Sequence, residues 1–135
     1  MNATSAPIIG ICGGGNLAHA MAGWLGARGL RVNILTRKPE QWNKTISASF
    51  PDGTALRPPL GRISNHPEIL EECSLVLVAV PRFGIREICL RIKPFLRRDQ
   101  GLAIVPGTPD VMDMAEDASW TSSVSLMGIY KVPLI

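Results

Sequence analysis

The sequence predicts an α/β fold, a single domain in which a mostly parallel sheet is wound on both faces by helices. Three observations carry that reading: short apolar, β-prone runs at 7–12, 30–36 and 75–80, helical periodicity between them, and a glycine cluster where the first run ends. Strands that alternate with helices give a parallel sheet with right-handed crossovers. Ligands of such sheets lie at the carboxyl ends of the strands, where strand order reverses.

The first run, Pro7-Ile8-Ile9-Gly10-Ile11-Cys12, is short and rich in Ile, as a strand buried on both faces must be. After Gly13-Gly14-Gly15, the residues Leu17, Met21 and Leu25 recur every four positions with Ala18 and Ala22 beside them, the stripe of a helix. Arg28-Gly29 stops it, a cation in the last turn and a glycine just past the end. Residues 30–36 read as a second strand, Val32 and Ile34 alternating with polar neighbours, and 39–44 as a short helix with Trp42 available for packing. Pro51-Asp52-Gly53 is a turn between two β-prone pieces, so 46–60 is a hairpin or excursion on the domain edge.

Residues 62–64 return as a third sheet strand, and Asn65 or Ser64 caps a short helix over 67–73. Leu75-Val76-Leu77-Val78-Ala79-Val80 is the clearest buried strand, halted by Pro81. A helix over 83–96 follows, with Ile85, Ile88, Ile92 and Leu96 facing the core. Residues 101–105 form another short strand ending at Pro106-Gly107, 111–118 are ambiguous, and 123–129 form a last strand.

At 135 residues the chain is one domain; 46% hydrophobic and 19% charged residues describe a soluble globular protein. The longest strongly apolar run, 75–80, is far short of the roughly 20 residues that span a bilayer. No basic segment followed by a hydrophobic stretch opens the chain, so no secretory signal is expected and the expected location is cytoplasmic. Cys12, Cys73 and Cys89 are widely spaced in apolar surroundings and read as buried reduced thiols. His19 and His66 lack ligand spacing, so no metal site is expected. The net charge of +3 concentrates in Arg82, Arg86, Arg91, Lys93, Arg97 and Arg98. A solvated helix face explains these cations, and nucleic acid is not an expected partner.

The glycine cluster carries the functional signal. Gly13, Gly15 and Ala18 stand at G-x-G-x-x-A spacing inside a β-α-β unit of about thirty residues, the context of a Rossmann dinucleotide-binding turn. Gly13 allows the tight turn, Gly15 lets the backbone approach a pyrophosphate, and Ala18 lets the helix sit close to its strand. The helix N-terminus then offers free N–H groups to the phosphates. At the end of the second strand NAD-preferring folds carry an acid for the ribose hydroxyls. This chain has Thr36-Arg37-Lys38 there, with no acid until Glu40. An Arg fork and a Lys point charge suit a 2′-phosphate, so NADP is the expected cofactor, with NAD possible. Ordinary surface charges in a loop are the competing reading of Arg37 and Lys38.

Cys12-Gly13-Gly14-Gly15-Asn16-Leu17-Ala18-His19-Ala20, then Ala22-Gly23-Trp24-Leu25, resembles the opening of the octopine/nopaline (opine) dehydrogenase family. Leu35-Thr36-Arg37-Lys38-Pro39-Glu40, the Asp52-Gly53 excursion, 75–81, Ile92-Lys93-Pro94-Phe95-Leu96, Val105-Pro106-Gly107 and 125–133 are similar to its later segments. The resemblance covers nearly the whole chain, and no single motif in it is unique to the family. It implies an oxidoreductase that joins an amino acid to a 2-oxo acid reductively. Gly13, Gly14, Gly15, Asn16 and Leu17 would meet the pyrophosphate, and Thr36, Arg37 and Lys38 the adenosine end. Val80, Pro81 and Phe83 would flank the nicotinamide, with strand termination and core packing as the competing role for those three.

The family's catalytic histidine and acid lie in a helical second domain. The expectation is therefore a dinucleotide-binding domain over 1–135, truncated before that domain, holding cofactor without turnover alone; no catalytic residue is assigned. His19 and His66 are poor substitutes, and Tyr130 is the only tyrosine. Amino acid and 2-oxo acid become partners only if the second domain is supplied. Leu126, Ile129, Val132 and Leu134 are candidate contacts for self-association or for a partner catalytic domain. A pyrroline-carboxylate reductase-like domain is an alternative within oxidoreductases; Val80-Pro81-Arg82 argues against it, where that family has a lysine before proline. A non-catalytic nucleotide-sensing or interaction module is the alternative from another class.

Overall fold

The computed structural model describes residues 7–105 and the strand Ser125–Gly128. Its main sheet holds β1 (Ile8–Cys12), β2 (Arg31–Leu35), β5 (Ile63–Ser64), β6 (Leu75–Val78), β7 (Gly101–Ile104) and β8 (Ser125–Gly128). The spatial order is β5-β2-β1-β6-β7-β8, and every pairing is parallel. Numbered within this sheet alone, that is 3-2-1-4-5-6, the doubly wound Rossmann order with its reversal between β1 and β6. A separate two-stranded antiparallel hairpin joins β3 (Ala48–Ser49) to β4 (Ala55–Leu56). Gly53 takes φ +90 in its turn, and Asp52 Oδ1 accepts the Thr54 N–H at 2.8 Å.

Both faces of the sheet are buried, so the strands divide their side chains between two cores. Ile9, Ile11, Val32, Ile34, Leu77 and Ala103 pack against Ala18, Met21 and Ala22 of helix α1 (Asn16–Ala27). Cys12, Leu35, Val76, Val78, Leu102 and Ile104 pack against Ile85, Cys89 and Ile92 of helix α2 (Ile85–Ile92), with Ile69 and Leu70 alongside. The period of two set by strand geometry sends successive residues to opposite layers.

Helix α1 docks by small residues. Ala18 and Ala22 are fully buried, whereas the expected stripe members Leu17 and Leu25 are only half-buried and flank the contact. Its C-terminus ends as the sequence predicts: Gly29 takes φ +84, its N–H reaches Gly26 O at 3.0 Å and Leu30 N–H reaches Leu25 O at 3.3 Å. That pair of bonds is a Schellman cap, which satisfies carbonyls the helix would leave unpaired.

Four local expectations change. The helix expected over 39–44 is a three-residue 3₁₀ turn, Pro39–Gln41, that delivers the buried Trp42. The expected helix over 67–73 is a 3₁₀ segment, Pro67–Glu72, with no side-chain cap; Ser64 Oγ instead accepts the His66 N–H at 3.0 Å. The helix expected over 83–96 is regular α only from Ile85 to Ile92, with 3₁₀ turns at Arg82–Gly84 and Lys93–Phe95. Pro94 removes an N–H and crowds the turn before it, which ends the α-helix. Strand β6 stops at Val78, two residues short of the expected end. The ambiguous stretch 111–118, the contacts assigned to Ile129, Val132 and Leu134, and the Leu126 side chain lie outside the described residues.

Asn33 differs most from its expected role. The sequence marks it only as a polar neighbour of Val32 and Ile34 in β2, and it is fully buried. Its Nδ2 donates to Glu72 Oε1 at 2.6 Å and to Ile69 O at 3.3 Å, and its Oδ1 accepts the Arg62 N–H at 2.8 Å. One amide thereby ties β2 to the segment entering β5 and to the 3₁₀ segment below the sheet. Replacing it with leucine keeps the branched outline of the side chain and takes away the acceptor of the Arg62 N–H. Asn33→Leu should lower the unfolding free energy by about 2–3 kcal/mol, read as a lower urea midpoint with an unchanged denaturant slope. An unchanged midpoint would show that the amide is not a fastening point.

Candidate functional site

The carboxyl ends of β1, β2 and β6 meet around Gly13. Its N–H donates to Leu35 O at 3.0 Å, and Ala79 N–H donates to Cys12 O at 2.9 Å, so the chain leaving β1 is held from both neighbours. Gly13 has φ +146, and a Cβ placed there would lie 2.3 Å from Ala79 O. Only glycine meets both demands. A Cβ on Gly14 would touch Thr36 Oγ1 at 3.0 Å, while one on Gly15 meets nothing within 4 Å. The first glycine is thus required by the fold, and the third faces open space.

Helix α1 starts at Asn16 with Gly15 at its cap position, no side-chain cap and no acid in its first turn. The positive end of its dipole is therefore left for something outside the helix. His19 is committed locally: its Nδ1 donates to Gly15 O at 2.9 Å, and its ring stacks on Trp42 with centroids 3.6 Å apart. This stack fastens the glycine turn to the loop after β2 and leaves His19 no part in the cleft.

Between these elements lies a cleft of about 420 Å³. Of the sequence-predicted site residues it brings together Gly13, Gly14, Gly15, Thr36, Arg37, Lys38, Val80, Pro81 and Phe83. Asn16 and Leu17 do not line it: Asn16 is exposed, and Leu17 packs against the α1 core. Gln41, Gly84, Ile88 and Arg91 also line the cleft and were not anticipated. Ile88 was expected in the core stripe; it is half-buried at the edge of that stripe, so one apolar residue serves both core and cleft. Arg91 sits three residues further along the same helix, a spacing that places them on one face.

The wall residues divide by role. Thr36 is buried; its N–H donates to Ser64 O at 2.9 Å and its Oγ1 accepts the Lys38 N–H at 3.4 Å, which shapes the loop. Val80 packs on the α2 core, whereas Phe83 is 91% exposed, so core packing does not explain Phe83. Arg37 Nη2 donates to Glu87 Oε1 at 2.8 Å across the cleft mouth. Cys12 lies just beneath the turn, where burial pushes its thiol far above the ordinary range, with Cys89 and Cys73 adding to the shift. Burial also raises the Cys73 thiol to about 11 and the Cys89 thiol to about 12. All three are free and neutral at physiological pH, so none is a ready nucleophile. Among the described residues, none that lines the cleft is a carboxylate, histidine, cysteine or tyrosine. Its described walls offer the cations of Arg37, Lys38 and Arg91 and no acid–base pair.

A family model described as NAD-dependent glycerol-3-phosphate dehydrogenase N-terminus matches residues 8–107. Among solved structures the fold is shared with octopine dehydrogenase bound to NADH and L-arginine (TM-score 0.74, 24% identity, covering 91% of this chain and 34% of that one). It is shared equally with octopine dehydrogenase in complex with NADH and agmatine (TM-score 0.76, 23% identity, 91% and 34% coverage). A probable 2-dehydropantoate 2-reductase from Bacillus subtilis also matches (TM-score 0.70, 20% identity, 90% and 40% coverage). The chain spans about a third of the length of the octopine dehydrogenases it matches. No curated protein sequence matches it. Among the described residues no helix is long and apolar enough to cross a membrane.

The two glycines should separate in a stability measurement. Gly13→Ala should cost about 3 kcal/mol or more, from positive-φ strain plus the clash with Ala79 O. Gly15→Ala should shift unfolding by less than about 1 kcal/mol. Equal midpoints for the two variants in urea would contradict the division of roles.

Proposed function

We infer the function from a family membership: the chain belongs to the family described as NAD-dependent glycerol-3-phosphate dehydrogenase N-terminus, and it is an NAD(P)-binding domain of Rossmann architecture. We propose that the cleft at the reversal between β1 and β6 holds the dinucleotide. The observation that carries this is Gly15, where open space stands in place of a side chain directly before an uncapped, twelve-residue helix. A pyrophosphate fits there because backbone N–H groups and the dipole supply its counter-charge without a Cβ in the way. In this reading Gly13, Gly14 and Gly15 form the turn, and Asn16 and Leu17 contribute backbone N–H groups rather than side chains. Thr36, Arg37 and Lys38 meet the adenosine end, with Ile88 as an apolar surface beside it. Val80, Pro81 and Phe83 flank the nicotinamide.

The preferred cofactor in this proposal is NADP(H). Among the described residues no acid lines the cleft at the end of β2, while Arg37, Lys38 and Arg91 do. When bound, the reduced nicotinamide supplies a hydride. The domain orients that cofactor, and the groups that move protons on a substrate come from outside the cleft described, whose walls carry none. The segments around 12–20, 35–40 and 105–107 that resemble opine dehydrogenases support reductive joining of an amino acid to a 2-oxo acid as the reaction of the complete enzyme. A domain of this kind without a substrate-binding partner would hold cofactor and turn nothing over. The buried free thiols agree with a reducing compartment such as the cytoplasm.

Titrating the chain with NADPH and with NADH tests the reading. NADPH should bind about tenfold more tightly, the margin of one hydrogen bond between a charged donor and a phosphate. Arg37→Gln should erase most of that margin while leaving NADH affinity within about twofold. Tighter binding of NADH to the unaltered chain would overturn the NADP(H) preference, and binding of neither would overturn the site.

A further inference from the structure

Beyond Arg37 the cleft continues into a second cavity of about 400 Å³, lined by Arg37, Asn65, Glu87, Ile88 and Arg91. The two cavities share Arg37, Ile88 and Arg91, so they form one continuous groove between the loop after β2 and helix α2. Glu87 and Arg91 are four residues apart on that helix, which makes them neighbours on one face. Arg91 is held by the backbone carbonyl of Asn65, to which its Nη2 donates. Arg37 is held differently, by the Glu87 carboxylate at 2.8 Å, reaching across from the opposite wall.

Among the described residues, Glu87 is the one carboxylate that lines either cavity. Glu40, the acid nearest to Arg37 in sequence, lines neither of them. The place where a dinucleotide fold usually keeps an acid on its second strand is taken here by a basic pair, and the acid is supplied by α2 instead.

We propose that Glu87 is a specificity-determining residue for the substituent on the adenosine 2′ carbon. The inference rests on the reading that the adenosine end of the cofactor lies against Arg37. A 2′-phosphate needs the Arg37 guanidinium that Glu87 already occupies, and it brings negative charge towards that carboxylate. A 2′-hydroxyl does neither, and it donates to a carboxylate. Glu87 therefore narrows the preference for the phosphorylated cofactor by penalising its arrival. It does not reverse the preference, because Arg37, Lys38 and Arg91 set three cations against one anion in the groove. Side-chain exposures of 79% and 72% keep the Arg37–Glu87 pair weak enough to open when a dianion competes for the guanidinium.

Glu87→Gln in the full chain tests this. NADPH should bind about fivefold more tightly than to the unaltered chain, the scale of an exposed charge pair, while NADH stays within about twofold. In an Arg37→Gln background the same change should favour NADPH by less than it does in the unaltered chain, since the contest for the guanidinium is gone and only the repulsion between carboxylate and phosphate remains to be relieved. A cofactor ratio left unchanged by Glu87→Gln, or both affinities moving together, would overturn the inference. The two readings fail separately. If Arg37→Gln leaves NADPH affinity intact, the adenosine placement is wrong and Glu87 falls with it. If Arg37→Gln weakens NADPH while Glu87→Gln leaves the ratio alone, only the role of Glu87 is lost.

Discussion

The structure turns on the passage of the backbone through Gly13. There the chain leaves β1 with its N–H bonded to β2 and its Cα pressed against the carbonyl of Ala79, which follows β6. No other residue accommodates a φ of +146 with a carbonyl oxygen 2.3 Å from the Cβ position. That one crossing fixes the direction in which α1 departs, so it fixes where the helix N-terminus points. The ends of β1, β2 and β6 are gathered by the same contacts, and the cleft is the space left between them.

Burial on both faces of the sheet supports this junction at some cost in sequence freedom. Ala18 and Ala22 bring α1 close to the strands, and Gly10 lets the opposite layer descend, since a Cβ there would lie 2.8 Å from Leu70 Cδ2. Interiors packed to crystal-like density tolerate few changes at such points. Asn33 and Gln100 bring polar anchors into the same layers. Gln100 Nε2 donates to Leu70 O and Cys73 O, both at 2.7 Å, and Asn33 joins β2 to Arg62 ahead of β5 and to the 3₁₀ segment 67–72. These amides are satisfied and buried, so they specify register as well as adding stability.

Much of this was legible in the sequence because its signals are local. The apolar runs gave β1, β2 and β6, Arg28-Gly29 gave the Schellman end of α1, and Pro51-Asp52-Gly53 gave the hairpin. Nine expected residues line one cleft: six belong to a single β-α-β unit, which is itself a local object, and Val80, Pro81 and Phe83 came from the family resemblance. The remainder was hidden for physical reasons. Asn33 reads only as a polar neighbour of Val32 and Ile34 until the segment 61–62 and Glu72 are folded over it. Ile88 and Arg91 belong to the cleft only through the tertiary placement of α2 against the loop after β2. Glu87 was unremarkable as a helix-face acid fifty residues from its partner Arg37. The 3₁₀ segments also escaped, since short apolar periods do not distinguish 3.0 from 3.6 residues per turn.

The direct test of a phosphate-binding glycine turn is to watch the backbone amides of the labelled chain by NMR while NADPH is added. The largest shifts should fall on Gly14, Gly15 and Asn16, with a second group at 36–38 and 80–84, and the hairpin 48–56 should stay still. Shifts concentrated on that hairpin, or an unmoved glycine turn in the presence of bound NADPH, would contradict the placement of the cofactor.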